Sequence, residues 1–175
     1  EISKRGVDPF LDWKLCDIPE TMETDASIAY KFNPAVLTVM CAAGIEGMRR
    51  VRQALPMTDV LGVGVLTSLD EEECQSIFCA STKAVMLRFA RMAQLAGLDG
   101  MILSGQEAEI LSKRKEITLS FNMPAIRPIW SLVPADDQAR IVTIKDAILR
   151  GARRVIIGRP IVNAKPNDEG RPQNP

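Results

Sequence analysis

An aspartate, a lysine and a second aspartate stand at positions 12, 14 and 17, in the run Asp12-Trp13-Lys14-Leu15-Cys16-Asp17-Ile18-Pro19. Residues two apart on a strand share one face. Asp12 and Lys14 are therefore expected side by side, with Asp17 in the loop beyond. At the mouth of a sheet or barrel, burial opposes charge on both groups, and their mutual attraction preserves it. A lysine so placed can deliver a proton while carboxylates shape the local field. A structural salt bridge at a strand end fits the same spacing equally well.

Other chemistry-bearing groups also fall where apolar runs end. Leu66-Thr67-Ser68 closes one run and Ser104 another. Each hydroxyl could meet a polar ligand or serve a turn or helix cap, and for Ser68 the turn or cap is preferred. Asn122-Met123-Pro124-Ala125-Ile126-Arg127-Pro128 leads into a long stretch that reaches Asp136-Asp137-Gln138. Prolines at 124, 128 and 134 keep that stretch out of regular structure. A loop of this length often closes over a ligand; Trp130 could cover one or simply pack on the rim. The last run meets Gly158-Arg159-Pro160-Ile161. Glycine there admits a ligand to the backbone, and the arginine fork suits phosphate. A lone surface arginine reads the same way.

These groups need elements to hold them. Strand-like runs are expected at 9–14, 35–39, 60–67, 100–104, 117–121 and 154–158. Several are almost continuously apolar, as in a parallel sheet covered on both faces. Helical periodicity runs through 44–55, 82–96 and 135–150, with Gly151 placed as a stop. The result is six βα units without a domain boundary, hence a (β/α)8 barrel or an open doubly wound sheet. Both architectures place chemistry just after the strands.

The chain has 175 residues, 46% hydrophobic and 25% charged, with 22 basic and 22 acidic side chains in balance. This leaves no electrostatic footprint for nucleic acid. No apolar run approaches a membrane span. Cys16, Cys41, Cys74 and Cys79 form no C-x-x-C pair and histidine is absent, which argues against a Cys/His zinc site. Such thiols fit a reducing, cytoplasmic setting, and each is expected as a small buried hydrophobe.

Taken together, Asp12-x-Lys14-x-x-Asp17-Ile18-Pro19, Leu66-Thr67-Ser68, Ile126-Arg127-Pro128, Asp136-Asp137-Gln138 and Gly158-Arg159-Pro160-Ile161 resemble the bacterial-type orotidine 5′-monophosphate decarboxylases in order and approximate spacing. Each motif alone is weak; five in order are specific. The resemblance implies a (β/α)8 (TIM) barrel, of which this chain holds strands 3 to 8 as one partial domain over residues 1–175. It implies loss of CO2 from orotidine 5′-monophosphate to give UMP, with no cofactor and no metal. Lys14 would protonate C6 and Asp12 would sit beside the departing carboxylate. Asp17 and Thr21 would serve the neighbouring site of a homodimer. Ser104 would contact the pyrimidine, Gln138 and Arg159 would grip the phosphate beside Gly158, and Ile18 and Pro124 would complete the substrate-binding set.

The sequence departs from that family in places. Two further strands, with an aspartate and a lysine of the charged network, would precede it, and a final helix would follow. A barrel truncated at both ends is therefore expected, with little or no turnover by the 175 residues alone. Cys16 and Met40 replace common histidines, Glu20 an asparagine and Ala125 a glycine. The nearest alternative is a magnesium-dependent sugar-phosphate enzyme of the same superfamily, 3-keto-gulonate 6-phosphate decarboxylase or hexulose-phosphate synthase. A non-catalytic phosphate-binding fragment is the other.

Overall fold

The structure, a computed structural model, describes residues 5–127 and 142–162. Six strands form one parallel sheet: β1 (Phe10–Leu15), β2 (Val36–Met40), β3 (Asp59–Val63), β4 (Gly100–Ile102), β5 (Ser120–Met123) and β6 (Ala152–Val155). Their order in space is their order in sequence. A doubly wound sheet reverses direction at a switch point. This one never does, so of the two architectures left open by periodicity the structure has that of a (β/α)8 barrel wall.

Seven α-helices accompany the described strands: α1 (Pro19–Tyr30), α2 (Gly44–Ala54), α3 (Glu71–Phe78), α4 (Thr82–Leu95), α5 (Gly105–Ser112), α6 (Ile144–Leu149) and α7 (Arg159–Val162). Their starts follow from local chemistry. Pro19 begins α1 with φ already set for a helix. Asp70 with Glu73, Ser104 with Glu107 and Thr143 with Asp146 form reciprocal capping boxes, and Ser81 caps α4. Gly151, at φ +84, ends the α6 segment as its position predicts.

Between sheet and helices lies one apolar core. Leu37 and Val39 of β2, Leu61 of β3 and Met101 of β4 are wholly buried, and so are Met22, Met48, Val51 and Met86 from the helices. Both faces of β2 and β3 are covered, which is why their sequences lack polar alternation.

Several expected boundaries are corrected. The run at 60–67 leaves the sheet after Val63, and Leu66 to Leu69 make a turn closed by a Leu69 N–H to Leu66 carbonyl bond of 3.0 Å. Ser68 thus sits in a turn, and the cap of α3 falls to Asp70. The strand expected at 117–121 begins at Ser120, because the Gln94 side chain holds the backbone of Glu116 and Thr118. The strand expected at 154–158 runs Ala152–Val155. The helix expected over 135–150 starts at Ile144 within the described residues. Val142 is extended against Ile126, and Thr143 caps the helix. Residues 128–141, with Trp130 and Gln138, lie outside the described residues.

Candidate functional site

A parallel sheet brings every strand's C-terminal end to one rim. Lys14, Ser104, Pro124 and Gly158 all stand at or just beyond those ends. The rim is not regular at β1. Leu11 pairs with Leu37 and Leu15 with Val39, so four steps along β1 are matched by two along β2. The extra residues form a bulge at Asp12-Trp13-Lys14, and Lys14 takes φ +50.

That bulge changes how Asp12 and Lys14 meet. They come together as expected, with Lys14 Nζ donating to Asp12 Oδ2 at 2.6 Å. Regular pleating does not do it, however; a third residue does. The Thr38 hydroxyl, from β2, donates to Asp12 Oδ1 at 2.9 Å and accepts the Lys14 backbone N–H at 3.0 Å. Thr38 is wholly buried. Reading the sequence misses it, and the only signal was a polar residue inside the apolar run Val36–Met40.

Magnitudes decide what this arrangement is for. The lysine and aspartate side chains are 40% and 56% exposed. An ion pair that open contributes about 0–1 kcal/mol. A left-handed backbone at a non-glycine residue costs about 1–2 kcal/mol. The ion pair by itself therefore does not offset the strained backbone. Strain held at an exposed, charged rim is the pattern of a working site.

The remaining expected residues are more scattered. Asp17 is exposed and accepts the Ile18 backbone N–H at 2.6 Å, at the entrance to α1; among the described contacts it makes none with Asp12 or Lys14. Ile18 is exposed and Thr21 half-buried on the first turn of α1. Ser104 and Pro124 line a cavity of about 920 Å³ over the ends of β3, β4 and β5, together with Thr67 and Ser68. Asp12 and Lys14 are not part of its wall. Ser104 is the cap it could have been, since its Oγ accepts from the Glu107 backbone at 3.3 Å. A hydroxyl that accepts in a cap keeps its own hydrogen to donate.

Gly158 has open space where a side chain would project, so packing does not demand glycine there. Arg159 is exposed at the start of α7. Ala125 keeps a left-handed φ of +58. Glu20 pairs with Arg50 across α1 and α2 at 3.1 Å.

Two cysteines depart from expectation. Cys41 and Cys74 are buried, but Cys16 and Cys79 are exposed. Cys16 lies in the loop after β1, and Cys79 ends α3 in a left-handed conformation that turns it outward. Cys41 directly follows the rim residue Met40, and burial pushes its thiol up to about 12. A thiol so placed stays neutral and is no nucleophile.

The model of the orotidine 5'-phosphate decarboxylase / HUMPS family matches residues 1–171. The orotidine 5'-phosphate decarboxylase of Syntrophus aciditrophicus is 37% identical over 174 residues, covering 94% of this chain and 69% of the relative. That of Pseudoalteromonas translucida is 38% identical over 170 residues, covering 94% and 72%. The crystal structure of orotidine 5'-phosphate decarboxylase from Lactobacillus acidophilus superposes with a TM-score of 0.79 at 26% identity, covering 93% of this chain and 71% of that one.

Proposed function

The chain belongs to the orotidine 5'-phosphate decarboxylase / HUMPS family, and from that membership we propose that it is a decarboxylase, a carbon–carbon lyase that converts orotidine 5′-monophosphate to UMP and CO2 without a cofactor. The observation that supports this most within the chain is the Asp12–Lys14 ion pair, held at a strand end with Lys14 at φ +50.

In this reading the bond from C6 to the carboxylate breaks and its electron pair stays on C6. CO2 leaves, Lys14 Nζ gives its proton to C6, and solvent restores the lysine. Asp12 lies beside the departing carboxylate, so their repulsion is relieved as CO2 forms. Ser104 donates to the pyrimidine, and Ile18 and Pro124 flank it. Gln138 and Arg159 hold the phosphate beside Gly158, and that remote grip favours the closed, reactive arrangement. Asp17 and Thr21 act in the neighbour's site of a homodimer. The domain is one barrel and the setting is the cytoplasm. Among the described residues no helix is long and apolar enough to cross a membrane.

The test is CO2 release from orotidine 5′-monophosphate, with UMP as product, by the protein carrying this sequence in the presence of EDTA. Turnover under those conditions is expected. A requirement for magnesium, with no binding of a UMP analogue, would overturn the reading in favour of a sugar-phosphate enzyme of the same superfamily.

A further inference from the structure

We infer that Thr38 is a positioning residue for the Asp12–Lys14 pair: its buried hydroxyl fixes the orientation of the carboxylate toward the lysine and holds the lysine backbone in its bulged conformation. The inference rests on the proposed decarboxylase reading of that pair. A hydroxyl inside a fully covered strand is unfavourable unless bonded. Both bonds of this one go to the bulge, one to Asp12 Oδ1 and one from the Lys14 backbone N–H. Neither goes to its own strand.

The bulge creates the need. Two extra residues in β1 lift the Lys14 N–H out of the regular ladder to β2. Without Thr38 that donor faces an apolar strand, because Leu37 and Val39 flank it. With Thr38 the peptide is anchored. Asp12 gains as well. An exposed carboxylate can turn about its Cβ–Cγ bond, but the Thr38 hydroxyl at one oxygen fixes its plane so that the other oxygen meets Lys14 Nζ at 2.6 Å. Three hydrogen bonds thus close a ring through both charged residues. A group held this way is preorganised for chemistry and need not search for its geometry during the reaction.

Thr38→Val removes the hydroxyl and keeps the shape. Its kcat is expected to fall about 10- to 100-fold, while KM for orotidine 5′-monophosphate stays within about 3-fold, since the phosphate grip lies elsewhere. Thr38→Ser restores the hydroxyl and is expected to recover kcat to within a few-fold. A role confined to packing would reverse that order, because valine packs as threonine does and serine leaves a void. Equal kcat for wild type and Thr38→Val would overturn the inference, and so would a serine variant as impaired as the valine one.

Asp12→Asn and Lys14→Ala run alongside separate the two readings. If both abolish turnover and Thr38→Val does not reduce it, this inference fails alone. If the wild type shows no turnover and binds no UMP analogue, the decarboxylase reading fails, and the rate of reductive methylation of Lys14, followed by mass spectrometry, still tests the anchoring. That rate is expected to rise several-fold in Thr38→Val and to stay at the wild-type value in Thr38→Ser; no change would overturn the inference. Should Thr38→Val fail to fold, Thr38→Cys, a similar volume with a weak donor, takes its place under the same expectations.

Discussion

Arg154 of β6 holds the carboxylate of Asp59, the first residue of β3, although β4 and β5 lie between their strands. In a flat sheet three strand spacings of about 4.8 Å would separate the two backbones. That is further than an arginine reaches by itself, so the pair closes on the concave side of a curled sheet. Arg154 also donates to the Asn122 side-chain oxygen at 3.3 Å, and Arg153 reaches the same Asp59 oxygen at 3.3 Å.

Arg154→Met should therefore loosen the curvature as well as one contact. It leaves a half-buried carboxylate with one weaker partner, and the expected loss is about 1–3 kcal/mol. Urea denaturation measures it. The double variant Arg154→Met/Asp59→Asn should lose less than the two single losses combined, because each single change strands the other group.

Gly100→Ala should be far worse than Gly47→Ala. A Cβ at Gly100 would stand 2.1 Å from Ser120 Oγ and 2.5 Å from the Ser120 carbonyl oxygen, and a ladder backbone cannot give way. A loss of about 3 kcal/mol is expected. At Gly47 the nearest atom is the Met22 sulfur at 2.7 Å, the end of a flexible side chain. Better helix propensity offsets part of that contact, so the net change should lie within about 1 kcal/mol. Thermal melts of the two variants separate these cases.

Two of the four thiols should react quickly with iodoacetamide in the native state, Cys16 and Cys79, and all four after denaturation. Cys41 adds a pH dependence. Burial raises its thiol from an ordinary 9.0 to about 12. The folded state favours the neutral form, so the contribution is intact below about 9 and is lost as pH climbs toward 12. Across that window stability should fall by up to about 1.4 kcal/mol per pH unit from this group. Cys41→Ala should show a shallower decline in denaturation midpoints between pH 9 and 10.5.

Cys79→Gly should stabilise the protein by about 1 kcal/mol. Cys79 ends α3 at φ +52, which glycine adopts without steric penalty. A higher melting temperature with unchanged turnover is the expected result.

Asp12→Asn should separate stability from chemistry. The exposed pair contributes under about 1 kcal/mol, so the melting temperature should barely move. Turnover should fall on the order of 10³-fold if the carboxylate acts beside the reacting carbon. A large loss of stability with activity retained would mark the pair as structural.

Much of the scaffold was legible because burial writes itself into hydropathy. The continuous apolar run of β2 and the 3.6 periods of α2 and α4 led to those elements within a residue or so. Helix α1 was not legible as such, because its buried face is Met22, Ala26 and Ala29, and alanine gives little contrast. For α3 the Asp70-x-x-Glu73 box was there to be read. Ile117 and Leu119 imitate a strand, yet Gln94, distant in sequence, takes the backbone there. Strand order was beyond periodicity altogether, since hydropathy reports faces and not neighbours. Asp12 and Lys14 could be picked out by type and spacing. Thr38 could not, because its role exists only once β1 bulges against β2, a property of two strands.

The sequential order of β1 to β6 also has a meaning in time. Each strand's template is the one synthesised just before it. As the polypeptide emerges, every new strand meets an edge already laid down, with no need to wait for a distant segment.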